Sequence, residues 1–287
     1  MNQAGKPLSA GLYLVSTPIG AARDVTLRAL DVLRDAEVIA AEDTRTARKL
    51  MEIHGVELKG RRVVAYHDHS GDAVRRKLIG EIERGKSVAF LSEAGTPLLA
   101  DPGLQLAREA IARDLAVRAV PGASALLAAL AVAGLPTDRF AFVGFLPNAA
   151  GARDRELAGL AALPMTLIFY ESPKRVAATL GAMAAVLGRD RPAAVCRELT
   201  KKFEETRRGT LGELAEAAAN GQARGEYVIV VGAGHAEAAT EDTVRAALQD
   251  ALQTMRVKDA ANAVAGAMNL PKREVYQMAL KIAAEDD

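Results

Sequence analysis

Short apolar runs alternate with longer stretches of helical periodicity almost from one end of the chain to the other. Strand-type runs, rich in Val, Ile and Leu, fall at Leu12–Ser16, Val38–Ala41, Val63–Tyr66, Val88–Leu91 and Val117–Val120. Between them, apolar positions recur at helical spacing from near Thr26, Thr44, Gly71 and Gly103. Two of these stretches close on Gly55 and Gly85, placed where a helix C-cap needs a left-handed residue. Strands that alternate with helices in this way predict an α/β layer around a largely parallel sheet.

A second series follows Pro121, with strand runs at Phe140–Phe145, Thr166–Tyr170, Ala193–Arg197 and Tyr227–Val231 and helices between them. The break around Ala119–Pro121 predicts two α/β domains, 1–120 and 121–235. From Glu241 the pattern is purely helical. Val257–Met268, the break Asn269-Leu270-Pro271 and Arg273–Ala284 predict a small helical unit, 241–287, joined by the linker Gly232–Thr240.

Composition narrows the function classes. A chain of 287 residues with 50% hydrophobic and 25% charged residues has material for two cores. Trp is absent and aromatics make up 4%, so packing rests on Ala, Leu and Val. A net charge of +1 means that any nucleic-acid contact must come from cations gathered on one face. The single cysteine, Cys196, excludes an intrachain disulfide and a cysteine metal cluster. No apolar run reaches the ~18 residues of a membrane span. Met1–Ala10 has no apolar core of the signal-peptide kind, so a cytoplasmic protein without a membrane partner is expected.

Three pattern matches are set aside. Gly80-Glu-Ile-Glu-Arg-Gly85-Lys86-Ser87 fits the nucleotide P-loop expression, but a P-loop follows a strand and opens a helix, and here the helical pattern comes first. Gly232-Ala-Gly234 lacks the third glycine of a dinucleotide fingerprint and no βαβ unit follows it. His67-Asp68-His69 puts two imidazoles on one face of a strand, yet no cysteine stands near, and a polar strand end lining a cleft is the better reading than a metal site.

Four polar turns follow strands, where open α/β sheets bind ligands. They are Ser16-Thr-Pro-Ile-Gly20, Ala41-Glu-Asp-Thr-Arg45, Leu91-Ser-Glu-Ala-Gly-Thr-Pro97 running into Asp101-Pro-Gly103, and Val120-Pro-Gly-Ala-Ser-Ala125. Their Pro and Gly residues fix tight turns and leave backbone amides free to hold a ligand. Any one of them reads equally as an ordinary βα turn, but four on successive strands form a pattern.

With these turns the chain resembles the tetrapyrrole methylase superfamily and, within it, the ribosomal RNA small subunit methyltransferase I family. Further matching stretches are His67-Asp68-His69, Leu135-Pro136 with Asp138-Arg139-Phe140, and Gly144-Phe145-Leu146-Pro147. The order continues through Phe169-Tyr-Glu-Ser-Pro173 with Arg175, Arg197-Glu-Leu-Thr-Lys201 with Glu204, and Gly225-Glu226. The chain departs from the family pattern at Ala21 and Ala22, where Asn-Leu is usual, at Glu93 for Asp and at Lys174 for His. The Asn-to-Ala change at Ala21 argues against a direct side-chain role for the first turn.

The resemblance implies a two-domain tetrapyrrole-methylase-like fold with largely parallel sheets, a small C-terminal helical unit and a homodimer. It also implies S-adenosyl-L-methionine in the cleft, against Pro18, Ser92, Ala94, Gly95, Asp101, Ser124, Ala125 and Tyr170. The implied reaction is 2′-O-ribose methylation of a cytidine in the decoding centre of 16S ribosomal RNA, within the 30S subunit. Rival readings are a precorrin-type or diphthine-type methyltransferase of the same superfamily and, in another class, a non-catalytic RNA-binding assembly protein.

Methyl transfer to a ribose hydroxyl needs alignment, and a base or cation at the poor nucleophile. Candidates are Glu42 or Asp43 after the second strand, and Lys201 or Glu204. Asp43 with Arg45 reads almost as well as a helix cap, and Lys201-Lys202 as a solvated charge pair. RNA contacts would draw on Arg61-Arg62, Arg75-Arg76-Lys77, Arg153 with Arg155, Lys201-Lys202, Arg207-Arg208 and Lys272-Arg273, and the helical unit 241–287 reads equally as an RNA contact and as a dimer or packing element.

Overall fold

The computed structural model describes residues 7–67, 71–219, 221, 223–234, 241–268 and 270–285. Asp68 and His69, the linker positions 235–240 and Asn269 of the helical break lie outside the described residues. The chain divides into two compact units, residues up to 158 with 166–232, and 159–165 with the residues from 233 on.

In the first unit, β1 (Gly11–Val15), β2 (Val38–Ala41), β3 (Val63–Ala65), β4 (Ser87–Leu91) and β5 (Val117–Val120) form a sheet in the order β3-β2-β4-β1-β5. Every pairing in it is parallel. The apolar runs are nearly continuous because both faces are covered. Alternate residues of one strand serve opposite cores. Tyr13 and Val15 face one cluster with Ala29, Val32, Leu33 and Met51 from α1 (Leu27–Asp35) and α2 (Thr44–Ile53). Leu12 faces the other, with Leu78, Ile79 and Ile82 of α3 (Gly71–Glu83) and Leu106 and Ala110 of α4 (Leu104–Ala112).

The helix starts have identifiable chemistry. Thr26 caps α1 by accepting from Ala29 N at 3.1 Å, satisfying an amide the helix leaves without a partner. Where the P-loop expression matched, Gly80 lies inside α3, Gly85 (φ +86°) ends that helix and Ser87 opens β4. Lys86 pairs with Glu81 at 2.6 Å.

The second sheet joins β6 (Phe140–Phe145), β7 (Thr166–Glu171), β8 (Pro192–Arg197), β9 (Glu205–Thr210) and β10 (Tyr227–Val231) in the order β6-β7-β10-β8-β9. It is mixed: β6 and β7 are parallel, whereas β10 runs antiparallel to both β7 and β8, and β9 antiparallel to β8. The sequence pattern misses β9, Glu-Thr-Arg-Arg-Gly-Thr, which carries no apolar run because an edge strand tolerates polar side chains on both faces. Helix α5 (Ala125–Ala133) leaves β5 and buries Leu126, Ala129, Leu130 and Ala133 against Ile168, Ala194, Cys196, Val228 and Val230 of this second sheet. It is followed by α6 (Ala150–Leu160), α7 (Val176–Leu187) and α8 (Leu211–Ala219).

The second unit is helical. Around Val244 and Leu248 of α9 (Glu241–Leu252), Ala261, Val264 and Ala265 of α10 (Val257–Met268) and Val275, Ala279 and Ile282 of α11 (Lys272–Glu285) form its core. Among the described residues no helix is long and apolar enough to cross a membrane.

Phe90 anchors the first sheet: it is fully buried and meets Tyr66 edge-on at 5.6 Å. Truncating a buried Phe removes its transfer energy and leaves a cavity, at about 3–5 kcal/mol. Phe90→Ala is expected to lower unfolding free energy in urea by that amount with an unchanged slope, and a loss under about 1 kcal/mol would contradict this account of the core.

Candidate active site

Three of the four polar turns meet at the carboxyl edge of the first sheet. Thr17 N donates to Gly95 O at 2.9 Å and Gly95 N to Thr17 O at 3.0 Å, a reciprocal pair that locks the turn after β1 to the turn after β4. Buried Ser92 donates its hydroxyl to Gly95 O at 2.7 Å. Thr96 Oγ1 donates to Ala123 O at 3.1 Å, which adds the turn after β5. Gly95 has φ +83°, a conformation that an L side chain strains to adopt. Downstream in the same loop Leu98 and Ala100 hold φ of 75° and 61° without being glycine. Such a residue costs roughly 1–2 kcal/mol, and strain of this kind gathers at binding sites.

The fourth turn has a different role. Asp43 Oδ1 accepts from Arg45 N at 2.7 Å and Thr46 N at 3.3 Å, capping α2, while Oδ2 takes the Arg45 guanidinium at 3.2 Å. The Arg45 side chain, with these amides, holds the Asp43 carboxyl below the usual range. Asp43 is not among the cavity-lining residues.

Above the joined turns lies a cavity of about 430 Å³, within the roughly 300–1,000 Å³ of small-molecule sites. Its near wall is Ile19, Glu93–Thr96, Leu99–Asp101, Ser124 and Ala125; its far wall, from the second sheet, is Phe145, Tyr170–Pro173 and Glu226–Val228. Tyr170 ties the walls together. Its hydroxyl accepts from Leu126 N at 3.1 Å in the first turn of α5. Its ring meets Phe142 at 4.8 Å and Phe145 at 5.8 Å. Burial raises its pKa, so it stays a neutral phenol. Ser124, the N-cap of α5, makes no side-chain cap bond. That helix start therefore presents a hydroxyl and amides to an anionic group.

Buried Glu171 accepts from Ser172 N and from Thr179 Oγ1, each at 2.7 Å, and faces Arg175 at 3.4 Å. Arg175 in turn donates to Leu146 O at 2.7 Å and Pro147 O at 3.1 Å, holding the turn after β6.

The lining is acidic. Glu93, Asp101, Glu171 and Glu226 contribute four carboxylates, and among the described residues no Lys, Arg or His lines the cavity. Burial, with the charges of Glu42 and Glu93 added, pushes the Asp101 carboxyl up to about 7. A site with this balance favours a cationic ligand.

At the rim, Lys201 Nζ sits between Glu198 and Glu226, 2.9 Å from each. Burial opposes its charge, but the two carboxylates outweigh it and raise the Lys201 pKa. Glu204 accepts from Thr200 N at 2.6 Å and so closes the 198–204 turn. This turn packs on the first: Thr200 Oγ1 accepts from Ala21 N at 3.0 Å. A Cβ on Gly20 would lie 2.5 Å from Lys201 Cγ and 3.0 Å from Leu199 O, so only glycine allows that approach. The first turn acts through its backbone, consistent with Ala at 21 and 22.

Of the residues inferred from sequence, Ala94, Gly95, Asp101, Ser124, Ala125 and Tyr170 line the cavity. Ser92 lies behind Gly95, and Pro18 precedes the lining residue Ile19. Lys201 and Glu204 stand outside the lining, Lys201 one ion pair away through Glu226. Sequence reasoning did not single out Glu93, Phe145, Glu171 or Glu226 as site residues, although each stood in a stretch that matched or departed from the family pattern. Several cations expected on RNA have structural partners instead. Arg61 donates to the carbonyls of Leu58, Leu33 and Ala36. Arg75 pairs with Glu109, and Arg208 caps α5 at Val132 O.

Comparison with known proteins agrees with this geometry. Residues 11–215 match the family model of the Tetrapyrrole (Corrin/Porphyrin) Methylases, and 237–283 that of the RsmI C-terminal HTH domain. Ribosomal RNA small subunit methyltransferase I of Mesorhizobium japonicum is 45% identical over 96% of this chain and 94% of its own. The Bacillus subtilis protein of the same name is 39% identical over 96% of both. Among solved structures, a conserved hypothetical protein from Aeropyrum pernix K1 shares the fold with a TM-score of 0.61 at 20% identity, covering 97% of this chain and 98% of its own. Uroporphyrin-III C-methyl transferase from Thermus thermophilus, complexed with S-adenyl homocysteine, aligns with a TM-score of 0.54 at 22% identity over 77% of this chain and 97% of that one.

The raised Asp101 pKa has a signed consequence. The native state binds this proton more tightly than the unfolded chain, whose value stays near 3.8. The stability it contributes is full below about pH 4 and is lost as pH rises through about 7. In ligand-free protein, Asp101→Asn is expected to melt above wild type at pH 8, with the difference shrinking as the pH falls from 7 to 4. A pH-independent difference would refute the assignment.

Proposed function

The chain belongs to the tetrapyrrole methylase family, in its ribosomal RNA small subunit methyltransferase I branch, and on that premise we propose that it transfers a methyl group from S-adenosylmethionine to the 2′-oxygen of a cytidine ribose in small-subunit ribosomal RNA. The observation that carries the reading is the acidic cavity over the joined turns of β1, β4 and β5. The residues present fit the donor: Glu93 and Asp101, the two lining carboxylates outside ion pairs among the described residues, complement a sulfonium and an ammonium, while the open start of α5 suits its one carboxylate.

When bound, the donor supplies a methyl group already activated by a positive leaving group. Ala94, Gly95, Asp101, Ser124 and Ala125 on the near wall, and Tyr170 on the far wall, would hold and orient it; Ser92 braces Gly95 from behind, and Pro18 stands next to the lining residue Ile19. Tyr170 and Phe145 exclude water from the far side. Lys201, protonated and bracketed by Glu198 and Glu226, is the cation placed to stabilise negative charge on the ribose oxygen. Glu204 positions the Lys201 turn through Thr200 N, and Asp43 supports the acidic rim by fixing the start of α2.

In this reading residues 1–120 supply the turns beneath the donor, 121–235 supply the wall with Tyr170 and the Lys201 turn, and 241–287 form a further unit. The enzyme works in the cytoplasm as a homodimer on RNA within the 30S subunit, at the decoding centre. Near-complete alignment with relatives carrying the small-subunit methyltransferase name favours ribosomal RNA over a corrin macrocycle or a protein histidine.

Labelled donor incubated with small subunits lacking the modification should place label on a cytidine 2′-oxygen; label on a tetrapyrrole instead, or RNA binding without donor affinity, would select a rival reading. Near pH 6 the cationic donor should pull the Asp101 pKa down from about 7 and release a proton, seen in calorimetry as a binding enthalpy that varies with the buffer's ionisation enthalpy. Lys201→Ala should lower kcat by roughly 10²-fold, typical of losing one transition-state stabiliser, with donor affinity within twofold; full turnover would remove Lys201 from the mechanism.

A further inference from the structure

Among the described residues, cations are absent from the lining of the acidic cavity, and in the C-terminal helical unit they are collected. Helix α11 turns Val275, Ala279 and Ile282 into the core it shares with α9 and α10. That leaves Arg273, Gln277 and Lys281, spaced i, i+4, i+8, as one exposed stripe. Arg245 of α9 joins them, and with Glu274 and Met278 these residues enclose a groove of about 500 Å³.

Arg273 and Lys281 stand exposed in the groove with one carboxylate, Glu274, and Arg245 lies beside them. Glu274 occupies the first turn of α11, where the helix dipole favours a negative charge in its own right. Among the described residues, Arg273 and Lys281 take part in no ion pair or side-chain hydrogen bond, in contrast to Arg61, Arg75 and Arg208, which are committed to carbonyls and carboxylates. Cations kept exposed and uncommitted on one face are available to an external polyanion. Beside the stripe, Tyr276 is 40% exposed, one helical turn from Arg273. A flat ring next to a cationic track is how proteins hold unpaired bases alongside a phosphate backbone.

We infer that this groove binds the phosphate backbone of RNA. Arg273 and Lys281 contact phosphates, Gln277 hydrogen-bonds sugar or phosphate oxygens, and Tyr276 offers a stacking surface at the edge. The inference rests on the RNA-directed reading above and deepens it, assigning the helical unit to substrate capture and leaving the chemistry to the acidic cavity. A protein partner is the alternative occupant. The stripe runs about 12 Å along the helix axis, enough to follow a run of phosphates, and its charges match a polyanion without requiring shape.

The test uses the full chain with paired charge reversals, Arg273→Glu with Lys281→Glu, and a charge-conserving control, Arg273→Lys with Lys281→Arg. Both pairs lie at exposed positions, and circular dichroism checks that the helices persist. Anisotropy with a labelled small-subunit RNA fragment, titrated between about 50 and 200 mM salt, should show the reversed variant binding at least roughly tenfold more weakly. The slope of log affinity against log salt should fall by about 2, one for each phosphate no longer neutralised. The control should bind as wild type does, and both variants should keep donor affinity within twofold. Wild-type RNA affinity and slope in the reversed variant would overturn the proposal and hand the groove to a protein partner; loss of binding in the control would overturn the phosphate assignment. If the wild type binds RNA through the groove yet methylates none, the groove stands and the proposed reaction fails, so the two failures are separable.

Discussion

The reciprocal backbone pairing of Thr17 with Gly95 joins two turns that leave neighbouring strands of a parallel sheet. Turns at the end of such a sheet have no ladder to hold them and would diverge. Here the pair continues the sheet by one antiparallel bridge, and the Ser92 hydroxyl on Gly95 O stiffens it. Thr96 on Ala123 O then brings in the turn after β5. Once these turns are fixed, the strained loop through Leu98 and Ala100 can present its backbone to the cavity, and α5 starts at a defined place on the rim.

From that start α5 carries the constraint onward. It departs from one sheet and packs on the other, so the Tyr170 hydroxyl on Leu126 N is a bond between the two walls of the site. The second crosslink is the seat of Gly20 against Lys201, with Thr200 holding Ala21 N. The cavity is thus bounded by two sheets that each bring a turn to the other.

Charge is distributed by role. The cavity gathers carboxylates, and burial with the charges of Glu42 and Glu93 leaves Asp101 poised to accept positive charge. Many cations of the first unit are structural, closing helix ends and bracing loops. The uncommitted cations of α11 belong to the helical unit. An overall balance near neutrality therefore conceals two regions of opposite charge, an acidic cavity and a cationic stripe on α11.

Strand and helix positions in the first sheet were legible because burial on both faces forces continuous apolar runs of Val, Ile, Leu and Ala, and the turn chemistry at Thr26 and Gly85 is local. The ordered polar turns carried the family, and with it the cavity residues Ala94, Gly95, Asp101, Ser124, Ala125 and Tyr170. Strand direction in the second sheet was not legible: β10 inserts between β7 and β8, a choice made by packing among distant segments, and β9 at the edge needs no apolar signal. Nor could spacing show that Glu226 would hold Lys201 or that Gly20 would seat the 198–204 turn, because those contacts join residues remote along the chain. By itself the sequence determined which segments become strands, helices and turns, since those depend on neighbours a few residues away. Only the tertiary structure decided which turns meet, which carboxylates share a cavity and which cations stay free, because field and burial are properties of the assembled neighbourhood.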